Sequence, residues 1–261
     1  MIDPKVLGKR IKFFRERAHL SQLELETSIN ASAGMISRIE KGRVNPTKET
    51  VGKIVEILGL NNKELDYLIG SISLPVKQAE IDTAINSIKE YFGEKHTFAY
   101  LLDEKWRVHY LSEGMLRMLT KSLPLTRNDI QAQFGKTILE IIFNKKLGFN
   151  TFFFQEDYYR NDLAKFQLSR YYNEVGFMVD DESFVATVKM FEKDPFLNNI
   201  WLSIKDMDIN TNSVASKIAK IKLLGFNISL SYSREMLPKN PRFETIELFP
   251  TNKLLKLLTK L

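Results

Sequence analysis

Apolar side chains in residues 1–70 recur every three or four positions, the spacing of one face of an α-helix. Short breaks divide this pattern into five segments, and no stretch alternates apolar and polar residues as a half-buried strand does. Ser21 is followed three positions later by Glu24, the arrangement of a capping box at the start of the second segment. The fourth segment covers Thr47–Leu58, and the fifth begins at Asn61. We therefore predict five short helices.

The second and third predicted helices are separated by a connection of turn length, Ile29–Ala31. The third helix begins after Ser32, a candidate N-cap, and ends at Gly42, a candidate C′ glycine. Two short helices joined by a tight turn within a helical bundle are typical of a helix-turn-helix, in which the second helix enters the major groove of DNA.

Helical geometry predicts which residues of the third predicted helix face inward and which face outward. Ile36 and Ile39 are three positions apart and face the bundle. The outward positions are Ala33, Gly34, Ser37, Arg38 and Lys41. Arg38 is suited to a two-bond contact with guanine, whereas Ser37 is a less selective donor and acceptor. We expect base recognition from this face.

Three positions are suited to contacts with the DNA backbone. Gln22, Lys41 and Arg43 are placed to bind phosphates, with Gln22 at a helix N-terminus where backbone donors also point at an anion. The predicted DNA-binding residues are Gln22, Ser32, Ala33, Gly34, Met35, Ser37, Arg38, Lys41 and Arg43. The alternative for Arg38 and Lys41 is a solvated charged face, and for Gln22 a plain capping role.

A family pattern is distributed over four stretches of the same region: Ser21–Leu25, Met35–Gly42, Asn45–Thr47 and Leu58–Leu60. These stretches closely resemble the XRE (Cro/repressor-like) family, which implies a domain that recognises double-stranded DNA. In that family an arginine late in the first helix pairs with the glutamate that ends the recognition helix. The matching positions here are Arg15 and Glu40.

The sequence departs from the family at Ala33-Gly34-Met35, where members commonly carry polar or aromatic groups that reach DNA. We interpret Gly34 as a glycine inside the recognition helix, at a cost of roughly 1 kcal/mol relative to alanine. It either permits close approach of the backbone to DNA or is simply tolerated.

A linker is predicted over residues 71–77, where Ser71, Ser73 and Pro75 interrupt the helical pattern. We expect a DNA-binding domain at 1–70 and a second domain at 78–261. The second domain begins with an apolar seam, a row of apolar residues spaced four or three positions apart: Ile81, Ile85, Ile88 and Phe92. The seam packs either within the domain, which we favour, or on a second copy of the chain.

The remaining pattern combines strands and helices. Two short apolar runs, Thr97–Leu102 and Arg107–Leu111, flank polar residues as in a hairpin. Helical spacing follows at Met115–Leu119, Ile138–Phe143, Tyr158–Tyr172 and Phe184–Phe191, the last closed by Asp194-Pro195. Three more strands are predicted at Ile218–Leu224, Asn227–Glu235 and Arg242–Phe249. This order predicts an α+β fold, a five-helix bundle followed by a PAS-like antiparallel sheet covered by helices.

Several motifs of this second domain suggest a second family: Phe98–Val108, Ile138–Phe143, Leu168–Arg170, Phe191–Phe196 and Ile200-Trp201. They resemble the ligand-binding domain of MmyB-like transcriptional regulators, which follows an XRE helix-turn-helix in that family. The resemblance implies an apolar tunnel that holds a fatty acid. The family's usual asparagine before the Ile138 helix is replaced by Lys136 or Thr137.

Aromatic residues are abundant between positions 143 and 201, and such residues at helical spacing more often form a core than a ligand site. The candidate ligand contacts are Phe98, Tyr110, Phe143, Phe166, Arg170, Phe184 and Trp201. Arg170, between the apolar Leu168 and Tyr171, is the candidate anchor for a carboxylate, and a snorkelling surface arginine is the alternative.

Composition narrows the function classes. The chain has no cysteine and three histidines, which argues against thiolate catalysis and a metal site. Its glycines are too far apart for a P-loop or a dinucleotide-binding turn. The acidic run Asp180-Asp181-Glu182 is better explained by helix capping than by acid–base chemistry. We therefore expect no enzyme activity and no cofactor apart from a bound fatty acid.

The net charge of +6 comes from basic excesses in residues 1–70 and 211–261, around a mildly acidic middle. Such a distribution suits a polyanion such as DNA. No apolar run approaches the ~18 residues of a membrane span, so we expect a cytoplasmic protein without a membrane partner.

The sequence thus predicts a cytoplasmic transcription regulator that binds double-stranded DNA as a homodimer and senses an apolar small molecule. One alternative is a DNA-bound scaffold whose second domain binds a protein partner without a ligand. Another is an enzyme with an appended DNA-binding domain, which would require a polar pocket with convergent titratable groups.

Overall fold

The computed structural model describes residues 2–70, 76–94, 97–149, 157–205, 218–223 and 226–250. The chain divides into two compact units, Met1–Pro75 with Gly176–Asp181 and Val76–Val175 with Glu182–Leu261. Of the predicted linker, residues 71–75 lie outside the described residues. No helix in the described part of the chain combines the length and apolar character that a membrane span requires.

The first unit contains the five predicted helices: α1 (Pro4–Arg17), α2 (Gln22–Ser28), α3 (Met35–Glu40), α4 (Lys48–Ile57) and α5 (Asn62–Ile69). Side chains next to the helix starts bind the first free backbone N–H groups. The capping box of Ser21 and Glu24 is present, and the side chains of Thr47 and Asn61 cap α4 and α5. These caps act within three residues, so the sequence locates the helix starts well.

The start of α3 is a correction to the sequence prediction. The helix begins at Met35, because Gly34 is its N-cap and has a φ of 75°, in the left-handed region. Ser32 is therefore not the N-cap, and the interpretation of Gly34 as a glycine inside the helix is wrong. The predicted end is confirmed, since Gly42 follows the C-cap with a φ of 65°.

The core of the first unit is formed by fully or almost fully buried side chains of α1 to α5, among them Ile11, Phe14, Leu25, Ile36, Ile39, Ile54 and Leu68. Helices α1 and α3 approach each other closely. A Cβ atom on Gly8 would lie 2.3 Å from the carbonyl oxygen of Ile39. Gly8 thus allows a contact that a larger residue would block.

Residues Gly176–Asp181 complete this unit from a distant part of the sequence. The ring of Phe177 meets Tyr67 edge-on at 5.3 Å between centroids and lies 6.2 Å from Phe14. Arg10 forms an ion pair with Asp180, at 3.1 Å between Nη2 and Oδ2, and its guanidinium covers the Tyr67 ring. No pattern in the sequence predicted this packing.

The second unit has mixed secondary structure. Its helices are α6 (Gln78–Phe92), α7 (Glu113–Ser122), α8 (Arg127–Gln131), α9 (Ile138–Ile142), α10 (Asp157–Val175), α11 (Glu182–Lys193) and α12 (Pro195–Lys205). Its strands are β1 (Ala99–Asp103), β2 (Val108–Leu111), β3 (Ile218–Leu223), β4 (Phe226–Leu237) and β5 (Asn240–Pro250). The predicted α+β class is confirmed.

The strands form one antiparallel sheet in the order β2-β1-β5-β4-β3. The first hairpin therefore joins the last three strands through pairing of β1 with β5. In the β1–β2 turn, the buried Asp103 carboxylate accepts hydrogen bonds from the backbone N–H groups of Lys105 and Arg107. Burial raises the pKa of Asp103, but the His109 hydrogen bond and the Arg107 charge outweigh it, so this pKa lies below its ordinary value.

The two faces of the sheet carry separate apolar clusters, because successive strand residues point to opposite sides. Ala99 and Leu101 pack with Ile88 and Phe92 of α6. This packing confirms the favoured prediction that the α6 seam packs within the domain. Tyr100 and Ile246 belong to the other cluster, which residues of α7, α8 and α9 complete.

Among the α-helices that the structure describes in the second unit, α8 and α12 were not predicted. The pair Asp194-Pro195, which the sequence analysis took as the end of a helical region, instead begins α12. Pro195 is the first helical residue, and Asp194 Oδ1 accepts a hydrogen bond from Phe196 N at 3.0 Å. Proline is well suited to the first helical position because its missing N–H would be unpaired there in any case.

Candidate nucleic-acid interface

Helix α3 separates its buried and exposed side chains as helical geometry predicts. Ile36 and Ile39 are 0% and 1% exposed and face the bundle. Arg38 and Lys41 are exposed, and Ser37 is partly buried. The helix therefore presents an arginine, a lysine and a hydroxyl outward from a fixed apolar base.

The predicted pair of Arg15 and Glu40 ties α1 to the end of α3. Arg15 donates from Nε to Glu40 Oε1 at 2.6 Å and from Nη2 to Oε2 at 3.1 Å. Both side chains are buried, and the hydrogen bond with Glu40 raises the pKa of Arg15. This two-bond geometry confirms the pairing that the family resemblance implied.

Gln22 also contacts Glu40. Its side-chain Nε2 donates to Glu40 Oε2 at 2.6 Å. The side chain of Gln22 therefore links the start of α2 to the end of α3, a contact that the sequence analysis did not foresee.

The sequence analysis also missed Glu26, because its partners are eight and ten positions away and no local pattern connects them. This buried residue of α2 accepts hydrogen bonds from Gly34 N at 3.1 Å and Ile36 N at 2.8 Å. The turn between the helices passes through Asn30, whose φ is 54°. Asparagine tolerates this left-handed conformation better than most residues.

The nine predicted DNA-binding residues lie in the α2–α3 region and the loop that follows it. The exposed ones are Ser32, Ala33, Gly34, Arg38, Lys41 and Arg43. Those of intermediate exposure are Gln22, Met35 and Ser37. The positive side chains among them stand on or just after α3, so this surface offers a basic contact to a polyanion.

The seven predicted ligand contacts are not gathered at one place. Tyr110 packs with the α6 cluster and stacks on Phe92 at 6.1 Å, whereas Phe98 belongs to the opposite face of the sheet. Phe166 lies 6.3 Å from Tyr232, which packs on the same face as Phe98.

The other three aromatic candidates belong to one aromatic cluster. Phe143 and Trp201 both contact Phe191, at 6.5 and 5.2 Å between ring centroids. Phe184 stacks on Tyr171 at 5.8 Å and lies 6.3 Å from Trp201. These rings therefore form part of the packed interior of the second unit.

Arg170 is largely buried, with 12% of its side chain exposed, and it pairs with Glu174 at 3.2 Å. Its guanidinium lies 5.0 Å from the Trp106 ring centre and 5.2 Å from that of Tyr232. Glu174 in turn accepts two hydrogen bonds from Arg234, at 2.5 and 2.7 Å. A carboxylate ligand that used Arg170 would therefore compete with Glu174.

Two comparisons with known proteins gave matches. The family model described as Helix-turn-helix matches residues 11–61. The ImmF control region 10 kDa protein of Bacillus phage phi105 is 36% identical over 61 residues, which make up 23% of this chain and 68% of the phage protein.

A five-helix bundle that presents Arg38 and Lys41 on a short helix, held at its end by Arg15 and Glu40, defines a helix-turn-helix DNA-binding protein. Through its N-terminal unit the chain belongs to the helix-turn-helix family. The family and the phage relative point to a DNA-binding regulator.

Proposed function

We propose that the chain is a sequence-specific transcription regulator that reads double-stranded DNA with α3. The observation that carries this proposal is the outward face of α3, with Arg38 and Lys41 exposed while Ile36 and Ile39 are buried. The phage relative is described as a control-region protein, and this description agrees with a regulatory role.

Each residue of the surface has a proposed part in binding. Arg38 reads a guanine edge and Ser37 assists it, while Lys41, Arg43 and the start of α2 at Gln22 bind phosphates. The exposed residues before α3, which would approach the base edges, are Ser32, Ala33 and Gly34, followed by the partly buried Met35.

The test compares Arg38→Ala with Lys41→Ala on sequences that the wild-type protein selects from a random DNA library. Arg38→Ala should relax preference at one base position by ~1–3 kcal/mol. Lys41→Ala should weaken binding to all sequences alike and lower the salt slope by about one. If Arg38→Ala keeps its full selectivity, α3 is not the recognition helix.

We propose further that two copies bind together. Helix-turn-helix dimers place their recognition helices in half-sites about one helical turn apart. The selected DNA should therefore contain an inverted repeat, and a footprint that covers a single half-site at saturation would contradict the dimer.

For the second unit we propose a PAS-like, MmyB-like regulatory domain that senses an apolar molecule such as a fatty acid. Support comes from one antiparallel sheet built from the first two and the last three strands, covered by helices. The aromatic residues near Arg170 offer an apolar surface next to a guanidinium group, and this combination suits a fatty-acid chain and its carboxylate.

The alternative is a scaffold whose second unit binds a protein partner without a ligand. The mutual ring contacts of Tyr171, Phe184, Phe191 and Trp201 favour it, because they are the contacts of a filled core.

Thermal shift with saturated fatty acids of increasing length separates the two functions. A sensor should gain stability with each methylene, at ~0.8 kcal/mol per buried group, until the site is full. Replacing Arg170 should weaken binding of the acid more than that of its methyl ester. If no chain length shifts the midpoint and native mass spectrometry finds no copurified lipid, the scaffold is the correct function.

A further inference from the structure

The recognition helix lacks a cap of its own. Helix α3 has six residues, and its N-cap is Gly34, which has no side chain to accept a hydrogen bond. The first N–H groups of any α-helix have no partner within the helix. In so short a helix these groups are a large part of all backbone donors, so their partners determine where the helix begins and how it is oriented.

Glu26 of α2 supplies the missing acceptors. Oε2 of Glu26 binds Gly34 N at 3.1 Å, and Oε1 binds Ile36 N at 2.8 Å. The backbone carbonyl of Glu26 also binds Ala31 N at 2.8 Å, in the turn between the helices. One buried residue is thus bonded to the turn, to the N-cap and to the first turn of α3.

Both carboxylate oxygens are needed for this arrangement. A glutamine side chain has nearly the same shape but offers one acceptor oxygen and one NH2 donor. In place of Glu26 it would hold either Gly34 N or Ile36 N and turn a donor toward the other. The remaining buried N–H would then lack an acceptor, which favours a shift of the helix start.

We propose that Glu26 is a positioning residue for DNA recognition, which sets the orientation of α3 and therefore the place of Arg38 in the major groove. It does not touch DNA itself. This inference rests on the proposed function of α3 and adds the residue on which its base selectivity depends.

The experiment compares Glu26→Gln with Glu24→Gln in the full chain. Each variant removes one negative charge from α2, but Glu24 is exposed and binds Ser21 at the start of that helix rather than α3. Dissociation constants are measured for a DNA sequence selected by the wild type and for a scrambled sequence. The assay temperature lies well below the thermal unfolding midpoint of each variant.

Selectivity is the dissociation constant for scrambled DNA divided by that for the selected sequence. Glu26→Gln should reduce this ratio by about tenfold, the size of one lost base contact. Binding to scrambled DNA and its salt dependence should stay within about twofold, because the phosphate contacts remain. Glu24→Gln should keep the wild-type ratio. Amide NMR signals of Gly34 and Ile36 should shift in Glu26→Gln alone.

Two results would overturn the inference: an unchanged ratio in Glu26→Gln, or an equal loss in Glu24→Gln, which would make the effect one of charge. If Glu26→Gln unfolds below the assay temperature, Glu26→Asp replaces it, because the side chain of aspartate is one methylene shorter and does not bring its carboxylate to both N–H groups. The same ratio of dissociation constants then tests the inference. If the wild type itself selects no sequence, the proposed function fails instead.

Discussion

Single residues with a left-handed backbone define the helix-turn-helix of this protein. Asn30 lies in the turn, Gly34 before α3 and Gly42 after it, all with positive φ. Gly34 has open space around the position of an added Cβ, so its requirement is conformational rather than steric. The start of α3 therefore depends on a residue type that accepts this conformation.

Gly34→Ala should destabilise α3, because an alanine in the left-handed region costs roughly 1–2 kcal/mol. Gly52→Ala is the matched control, since Gly52 lies exposed within α4 and also has open space around it. It should stabilise α4 by ~0.5–1 kcal/mol. Native-state hydrogen exchange of the amides of α3 and α4 measures both changes in stability. If both substitutions stabilise or both destabilise their helix, the explanation is contradicted.

Helices of the first unit are joined by polar contacts as well as by apolar packing. Arg15 of α1 and Gln22 of α2 both bind Glu40 at the end of α3. Breaking one side of a buried ion pair costs more than replacing both sides by apolar residues, because the remaining charge keeps its desolvation cost.

Arg15→Met should lower the stability of the first unit by ~3–5 kcal/mol, since the buried Glu40 then loses its guanidinium partner and keeps the neutral amide of Gln22. The double variant Arg15→Met with Glu40→Leu should recover much of this loss. Hydrogen exchange of α1 and α3 amides monitors the unit separately from the rest of the chain. Equal losses in the single and double variants would mean that the two residues are not coupled.

At the scale of the whole molecule, the first unit is not a continuous stretch of sequence. Residues 176–181 add Phe177 to its aromatic contacts and Asp180 to Arg10. A fragment that ends at Pro75 would lack these contacts.

Phe177→Ala should lower the opening free energy of α1 and α5 amides by ~3–5 kcal/mol, the usual cost of removing a buried phenylalanine ring. Phe184→Ala makes the same substitution in the second unit and should leave those amides unchanged. Hydrogen exchange by mass spectrometry reports both. An equal effect of the two variants on α1 and α5 would show that the role of Phe177 is not specific to the first unit.

The sequence by itself determined the elements whose signals are local. The helix starts predicted at Ser21, Thr47 and Asn61 agree with the structure, because each of these side chains caps a backbone group within three residues. Short apolar runs next to polar breaks likewise predicted the five strands and the α+β class. The helical spacing of Ile36 and Ile39 was sufficient to orient the outward face of α3.

Only the tertiary structure decided the features that depend on residues far apart in the chain. Glu26 caps α3 through space, Phe177 and Asp180 complete the first unit, and Tyr110 lies on the opposite face of the sheet from Phe98. Hydrogen bonds and ring contacts of this kind depend on the positions of packed elements. Periodicity and capping signals describe one element at a time, so they carry no information about such contacts.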